Sequence, residues 1–145
     1  MKELKKVFIL AVCLGICLPG SVFAASLADG KAVLCSLIDV IECQPGGDCV
    51  RSDASGVNLP YFVKVDIADK VLRLPQAEDS NRSTAIQAIT RLDGKLILQG
   101  AEDGVDEEDD AVGWTMSIDE EDGRMIFSAT RETSGFVIFG ACTQL

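Results

Sequence analysis

Cys142 stands almost at the end of a 145-residue chain, and every other cysteine lies about ninety or more residues upstream. It closes the stretch Ser134-Gly-Phe-Val-Ile-Phe-Gly-Ala-Cys142, the most apolar run outside the N-terminus. The run is short, β-branched and aromatic. A helix would need more length and would not accept glycines at 135 and 140. As a strand it puts Phe136, Ile138 and Cys142 on one face and Val137, Phe139 and Ala141 on the other, which predicts cover on both sides. A last strand carrying such a cysteine must return to the beginning of the domain. The fold has to close on itself.

The beginning of that domain is not the beginning of the chain. Lys2, Lys5 and Lys6 precede an uncharged apolar run, residues 7–18, and Pro19-Gly20 breaks it before Val22-Phe23-Ala24. This is the pattern of a signal peptide, residues 1–24, cut after Ala24. The run is too short for a bilayer, which takes roughly twenty residues. Val12 and Ile16 before Cys13 and Cys17 are too bulky for a lipidation site. The mature chain, residues 25–145, is long enough for one domain with a core. It holds ten basic and 22 acidic side chains, a net charge of about −12. Its basic residues are scattered singly, so nucleic acid is excluded as a partner. The expected protein is a monomer, periplasmic or secreted, with no transmembrane segment in the mature chain.

Four cysteines survive cleavage: Cys35, Cys43, Cys49 and Cys142. An even count in an exported chain of this size predicts two disulfides. Pro45-Gly46-Gly47 lets the segment between Cys43 and Cys49 turn back on itself. That leaves Cys35 for Cys142, a bridge closing a loop of about a hundred residues. Zinc is the weaker alternative, because the chain has no histidine and no C-x-x-C spacing.

Along the chain, Ala25 to Gly30 is a polar lead-in expected to be loose. Lys31 to Glu42 predicts a long first strand with both faces partly covered. After the cysteine loop and a polar connection, Leu59 to Asp66 alternates, with Phe62 as the exception. Val71 to Leu74 is a short strand. Ala85 to Gly100 is a hairpin turning at Asp93-Gly94, which sets Ile89 opposite Leu98 and Arg91 opposite Leu96. Trp114, Met116 and Ile118 alternate with polar residues. Asp119 to Gly123 turns the chain, with Gly123 in the left-handed position, and Met125, Phe127 and Ala129 repeat the pattern. The sum is an all-β domain, a single antiparallel meander of seven or eight strands forming a closed or nearly closed β-barrel. A two-sheet β-sandwich is the alternative. Such a barrel either holds one small ligand in a cavity of several hundred Å³ or is filled by Val, Ile, Leu and Met.

The chemistry is sparse. Without histidine the usual triads and the commonest general base are missing, and oxidised cysteines offer no thiolate. No phosphate-cradling glycine pattern occurs, and no carboxylate pair has an apolar pocket around it. The chain is expected not to be an enzyme and to have no catalytic residue. Residues 102–110 hold seven carboxylates in nine positions. They predict a solvated loop, or else a calcium site using Asp103, Asp106, Glu108 and Asp110. Trp114 is expected in the core, with ligand stacking as the alternative. Tyr61 and Phe62 are also expected there, or else as an exposed aromatic edge. Asn81-Arg82-Ser83 is a glycosylation sequon, relevant only in a eukaryotic host.

Several segments then carry a resemblance. Cys35 with Asp39-Val40, Glu42-Cys43, Gly46-Gly47-Asp48-Cys49, Val57-Asn-Leu-Pro60, Leu96-Ile-Leu-Gln-Gly100, Gly113-Trp114 and Gly135-Phe-Val-Ile-Phe-Gly-Ala-Cys142 are similar to a family of small exported bacterial proteins. Its members are of the proteobacterial type, with four cysteines and no assigned function. The likeness spans nearly the whole mature chain, although the acidic insert at 102–110 is longer than the pattern. It implies export and brings no active site. A fainter likeness is to the small periplasmic inhibitors of lysozyme, compact disulfide-bonded β-barrels. Ser134-Gly135 resembles the Ser-Gly pair of their inhibitory loop, but the accompanying tyrosine and lysine motif is missing. The expected function is a non-catalytic periplasmic binding module for a small ligand or an envelope protein. The alternatives are an acidic inhibitor of a cationic envelope hydrolase such as lysozyme, and a calcium-binding module. Candidate binding residues are Tyr61, Phe62, Trp114, Ser134 and Gly135.

Overall fold

The structure, a computed structural model, describes Leu27 and residues 32–57, 59–75, 82–103 and 111–145. The segment read as a signal peptide and its cut after Ala24 lie outside the described residues. So do Asn81 of the sequon and three of the four proposed calcium ligands, Asp106, Glu108 and Asp110. No helix among the described residues is long and apolar enough to cross a membrane.

Nine strands are described: β1 (Val33–Cys43), β2 (Cys49–Ser52), β3 (Phe62–Asp66), β4 (Val71–Arg73), β5 (Ser83–Leu92), β6 (Lys95–Glu102), β7 (Val112–Asp119), β8 (Arg124–Thr130) and β9 (Gly135–Gln144). All neighbours are antiparallel. β9 returns to pair with β1 over its whole length, from Val33↔Gln144 to Cys43↔Gly135. On its other edge β1 serves two partners, β3 along Val33–Ser36 and β2 along Val40–Cys43. Eight strands thus form a closed barrel, and β2 is an extra strand hung on β1. The segment containing β2 reads as a plain polar connection, because CVRS has no alternation to reveal a strand; its disulfide hairpin holds it there.

Both disulfides join residues directly opposite each other. Cys43 pairs with Cys49 across the hairpin, Cα atoms 4.1 Å apart, and Cys35 with Cys142 across the seam, 3.9 Å apart. The Cys142 N–H is turned away from β1 and donates to the Gly123 carbonyl at 2.7 Å. Cys35 and Cys142 therefore form a non-hydrogen-bonded pair, the site where antiparallel Cα atoms come closest. The chain closes as its last cysteine requires.

Cover on both faces is overturned for β9, whereas β1 has the partly covered outer face its sequence predicts, with Leu34, Ser36 and Ile41 half-buried. In β9 the row Phe136, Ile138 and Cys142 is buried, while Phe139 is 41 % exposed and Ala141 faces out. In β1 a bulge between Leu37 and Asp39 lets Ile38 be skipped in the pairing. Val33, Cys35 and Leu37 point inward before it, Val40 after it, and Ile38 is 67 % exposed. A bulge reverses the parity of a strand, so an apolar run in sequence becomes one inner and one outer row. A second bulge, between Ile86 and Ala88, does the same to β5. The loose lead-in is also corrected at one residue: Leu27 is only 5 % exposed and belongs to the core.

The barrel has unlike ends. At one, β3–β4, β5–β6 and β7–β8 meet in short turns, and the chain enters β1 and leaves β9. Asp93 and Gly94 there both have positive φ, 49° and 73°, the two-residue turn that Asp-Gly predicts. It aligns Ile89 with Leu98 and Arg91 with Leu96. At the other end lie the four-residue β8–β9 turn, 131–134, and three longer connections, 44–61, 74–82 and 103–111.

Candidate functional site

Inward rows from six strands fill the barrel between its ends. Val40, Val65, Leu96, Leu98, Met116, Ile118, Met125 and Ile138 all have essentially no exposed surface. Among the described residues the barrel interior therefore holds no cavity of several hundred Å³. Two open hollows of about 450 and 460 Å³ lie on the outer wall, and a pocket of about 80 Å³ opens at the end with the long connections.

Apolar inward residues of the upper barrel build its wall. β7 contributes Trp114 and Val112, β8 contributes Phe127 and Ala129, and β9 contributes Phe136. The segment after β2 also takes part. Asp53 begins a 3-10 turn, Ser55–Val57, by accepting the Ser55 hydroxyl at 2.7 Å and the Gly56 N–H at 2.8 Å. Those bonds, the Ser55 hydroxyl first, hold the Asp53 carboxyl below the usual carboxylate range. The turn tucks Ala54 into the core and leaves Val57 and Leu59 half-buried at the pocket.

Trp114 is positioned by a partner without a side chain. It lies opposite Gly100 of β6, and a Cβ at Gly100 would collide with the indole ring. Its Nε1–H donates to Thr84 Oγ1 at 3.3 Å, and Thr84 in turn donates to the Ala101 carbonyl at 3.4 Å. Thr84 is the buried polar side chain among the described residues, and this chain of bonds satisfies it. Phe127 stacks on the indole with centroids 5.8 Å apart. Core packing and pocket lining are thus one role for Trp114.

The rim is charged. Arg82 and Glu102 face each other at 3.2 Å, both less than a third exposed. Arg131 lays its guanidinium over the Phe136 ring, 5.3 Å from the centroid. Ser134 and Gly135 sit between those two residues; the Ser134 carbonyl accepts the Arg131 N–H at 2.8 Å. The structure therefore brings Trp114, Ser134 and Gly135 to one end of the barrel. It brings Tyr61 to the same end, its hydroxyl donating to Ser55 Oγ at 3.3 Å, but neither Tyr61 nor Phe62 lines the pocket. Expected in the core, they are 48 % and 39 % exposed, with Phe62 opposite Ser36 on the outer wall. They form the aromatic edge instead, because β3 begins at Phe62 and its inward row starts one residue later, at Val63.

Sequence reading missed Leu59, Leu74, Arg82, Thr84, Glu102, Phe127 and Arg131 as neighbours of one site. They come from five separate segments, and only the closing of the barrel collects them. Asp103 is exposed. Among the described residues no group of three or more acidic or cysteine side chains is placed to hold a metal ion. At the opposite end, Lys95 donates to Asp119 at 2.8 Å, and the Glu121 and Asp122 amides donate to the same carboxylate. The Lys95 bond first, then these amides, hold the Asp119 carboxyl down to about 2. Comparison with protein-family models, curated proteins and solved structures finds no match for the chain.

Proposed function

We propose that the protein is an exported, non-catalytic binding module that engages its partner through the open end of the barrel. One observation carries the reading: a barrel otherwise packed solid leaves an apolar pocket at one mouth, with aromatic walls and a charged rim. Apolar concavities with a few placed polar groups are where ligands bind. The groups at hand suit binding more than chemistry. Glu102 is tied to Arg82, Thr84 to Trp114, and the chain has no histidine. Two disulfides fit an oxidising compartment, and an exported protein of this kind would meet its partner in the envelope.

The test is affinity capture from a periplasmic extract at low and high salt, with the native protein and a Val112→Asp variant that puts a charge in the mouth. A partner kept by the native protein and lost by the variant is the expected result. Identical retention by both would place the binding surface elsewhere. A second reading, an acidic inhibitor of a cationic hydrolase such as lysozyme, is favoured by the position of Ser134-Gly135 on this rim and by the net charge of about −12. Full lysozyme activity in excess mature protein would remove that enzyme as the target.

A further inference from the structure

The two disulfides differ in what can reach them. We infer that Cys43–Cys49 is a site of thiol–disulfide exchange, opened by a dithiol, and that its opening releases β2 from β1. This holds whatever occupies the mouth. An attacking thiolate must approach a disulfide sulfur from the side away from the sulfur it displaces. For Cys49 that side lies beyond β2, where the sheet ends and no strand follows. Cys49 is also exposed, and Cys43 half-buried with β9 on its far side. Cys35–Cys142 offers no such approach. β3 flanks Cys35, β8 flanks the strand of Cys142, and the two residues are 0 % and 9 % exposed within the core.

One thiolate of the dithiol attacks the Cys49 sulfur, forming a mixed disulfide and releasing Cys43 as a thiolate. The second thiol then attacks the dithiol's own sulfur in that mixed disulfide, closing an internal disulfide and releasing Cys49. Two electrons pass from the dithiol to the bridge, and its two thiol protons end on Cys43 and Cys49. A monothiol stalls at the first stage. Gly46 and Gly47, both at positive φ, turn the chain so that the freed Cys43 stays beside Cys49, and it expels the monothiol before a second one arrives. Once the bridge is open, little else holds β2. It pairs with β1 alone over four residues, Val50 is 59 % exposed, and Arg51 reaches Asp39 at 3.3 Å in a surface ion pair, a kind of contact that contributes little. The release stops at Ala54, which is buried and whose carbonyl accepts the Val57 and Leu59 N–H groups at 3.3 and 2.8 Å. The edge of β1 from Val40 to Cys43 is thereby uncovered, while β9 keeps the other edge.

The test treats the mature protein under native conditions with excess dithiothreitol, or with glutathione at equal thiol concentration. N-ethylmaleimide then traps free thiols for peptide mapping. Dithiothreitol should expose Cys43 and Cys49 to labelling about tenfold or more faster than Cys35 and Cys142. Glutathione should leave most of the Cys43–Cys49 bridge closed. In the opened protein, the β2 amides bonded to β1 should lose about tenfold or more of their protection from hydrogen exchange. The amides of Val57, Leu59 and the β1–β9 seam should keep theirs. A Cys43→Ser, Cys49→Ser double variant should show the same pattern with no reductant present. Equal labelling of both bridges would overturn the assignment of Cys43–Cys49 as the exchange site. Equal opening by glutathione would overturn the dithiol requirement, and unchanged protection of β2 after reduction would overturn its release.

Discussion

Gly123 carries more than its size suggests. Its φ of 74° is left-handed, its N–H donates to the Asp119 carbonyl at 2.9 Å, and its own carbonyl accepts the Cys142 N–H. A Cβ there would run into the Cys142 carbonyl. Gly123→Ala should therefore destabilise the fold by roughly 2–3 kcal/mol, strain and clash combined, read as a lower urea midpoint with an unchanged slope. Its neighbour Asp119 has a different signature. The folded-state pKa, about 2, is depressed from 3.8. The Lys95 and amide bonds to Asp119 thus contribute stability above pH 4 that is lost as pH falls through about 2. Asp119→Asn should melt below the native protein at pH 7 and converge with it near pH 2, in parallel melts at pH 2, 4 and 7. A constant gap would show that the carboxylate charge is not what those bonds use.

Among elements, the seam between β1 and β9 and the hairpin between β1 and β2 have the same kind of staple with unequal consequences. Cys35–Cys142 spans 107 residues of sequence and Cys43–Cys49 only six. Cross-linking restricts the unfolded chain more as the loop lengthens. Cys35 is also fully buried, whereas Cys49 is exposed. Replacing the long-range pair by alanine should cost about 3–4 kcal/mol, and the local pair about 1–2. Denaturant unfolding of the two double variants measures the difference. The β6–β7 hairpin supplies a second test. Its pairing runs in register from Lys95↔Asp119 to Glu102↔Val112, eight residue pairs that can align the two strands on their own. Replacing residues 104–110 by Gly-Ser-Gly should leave the melting temperature within a few degrees. Calcium at millimolar concentration should likewise leave the native melting temperature in place; a rise abolished by the replacement would establish the acidic segment as an ion site.

For the molecule as a whole, Leu27 bears on the leader expected at residues 1–24. It packs into the core, so a cut after Ala24 spares it and a cut beyond it would not. Intact mass of exported material should correspond to a chain beginning at Ala25. A version beginning at Ala28 should lose roughly 2–5 kcal/mol, the range for deleting a buried leucine; equal stability would mean that Leu27 contributes nothing.

Much of this architecture was written locally. Asp93-Gly94 sets the β5–β6 register, because that turn requires two positive φ values that other pairs resist. Pro45-Gly46-Gly47 clips its own hairpin, and the lone cysteine of the last strand demands closure. Three things were not local. The bulges at Ile38 and Gln87 are relative shifts between strands, and a single strand holds no record of where its partner skips a residue. β2 is a strand only because β1 leaves an edge free for it. The mouth collects residues from five segments, with Trp114 seated on Gly100 and Arg82 against Glu102. Turn chemistry is encoded within a few residues, so the sequence by itself determined the meander and its closure. Register across the β1–β9 seam and beyond the bulges, the emergence of Ile38 and Phe62 on the outer wall, and the pocket depend on contacts between distant residues, which only the closed barrel decides.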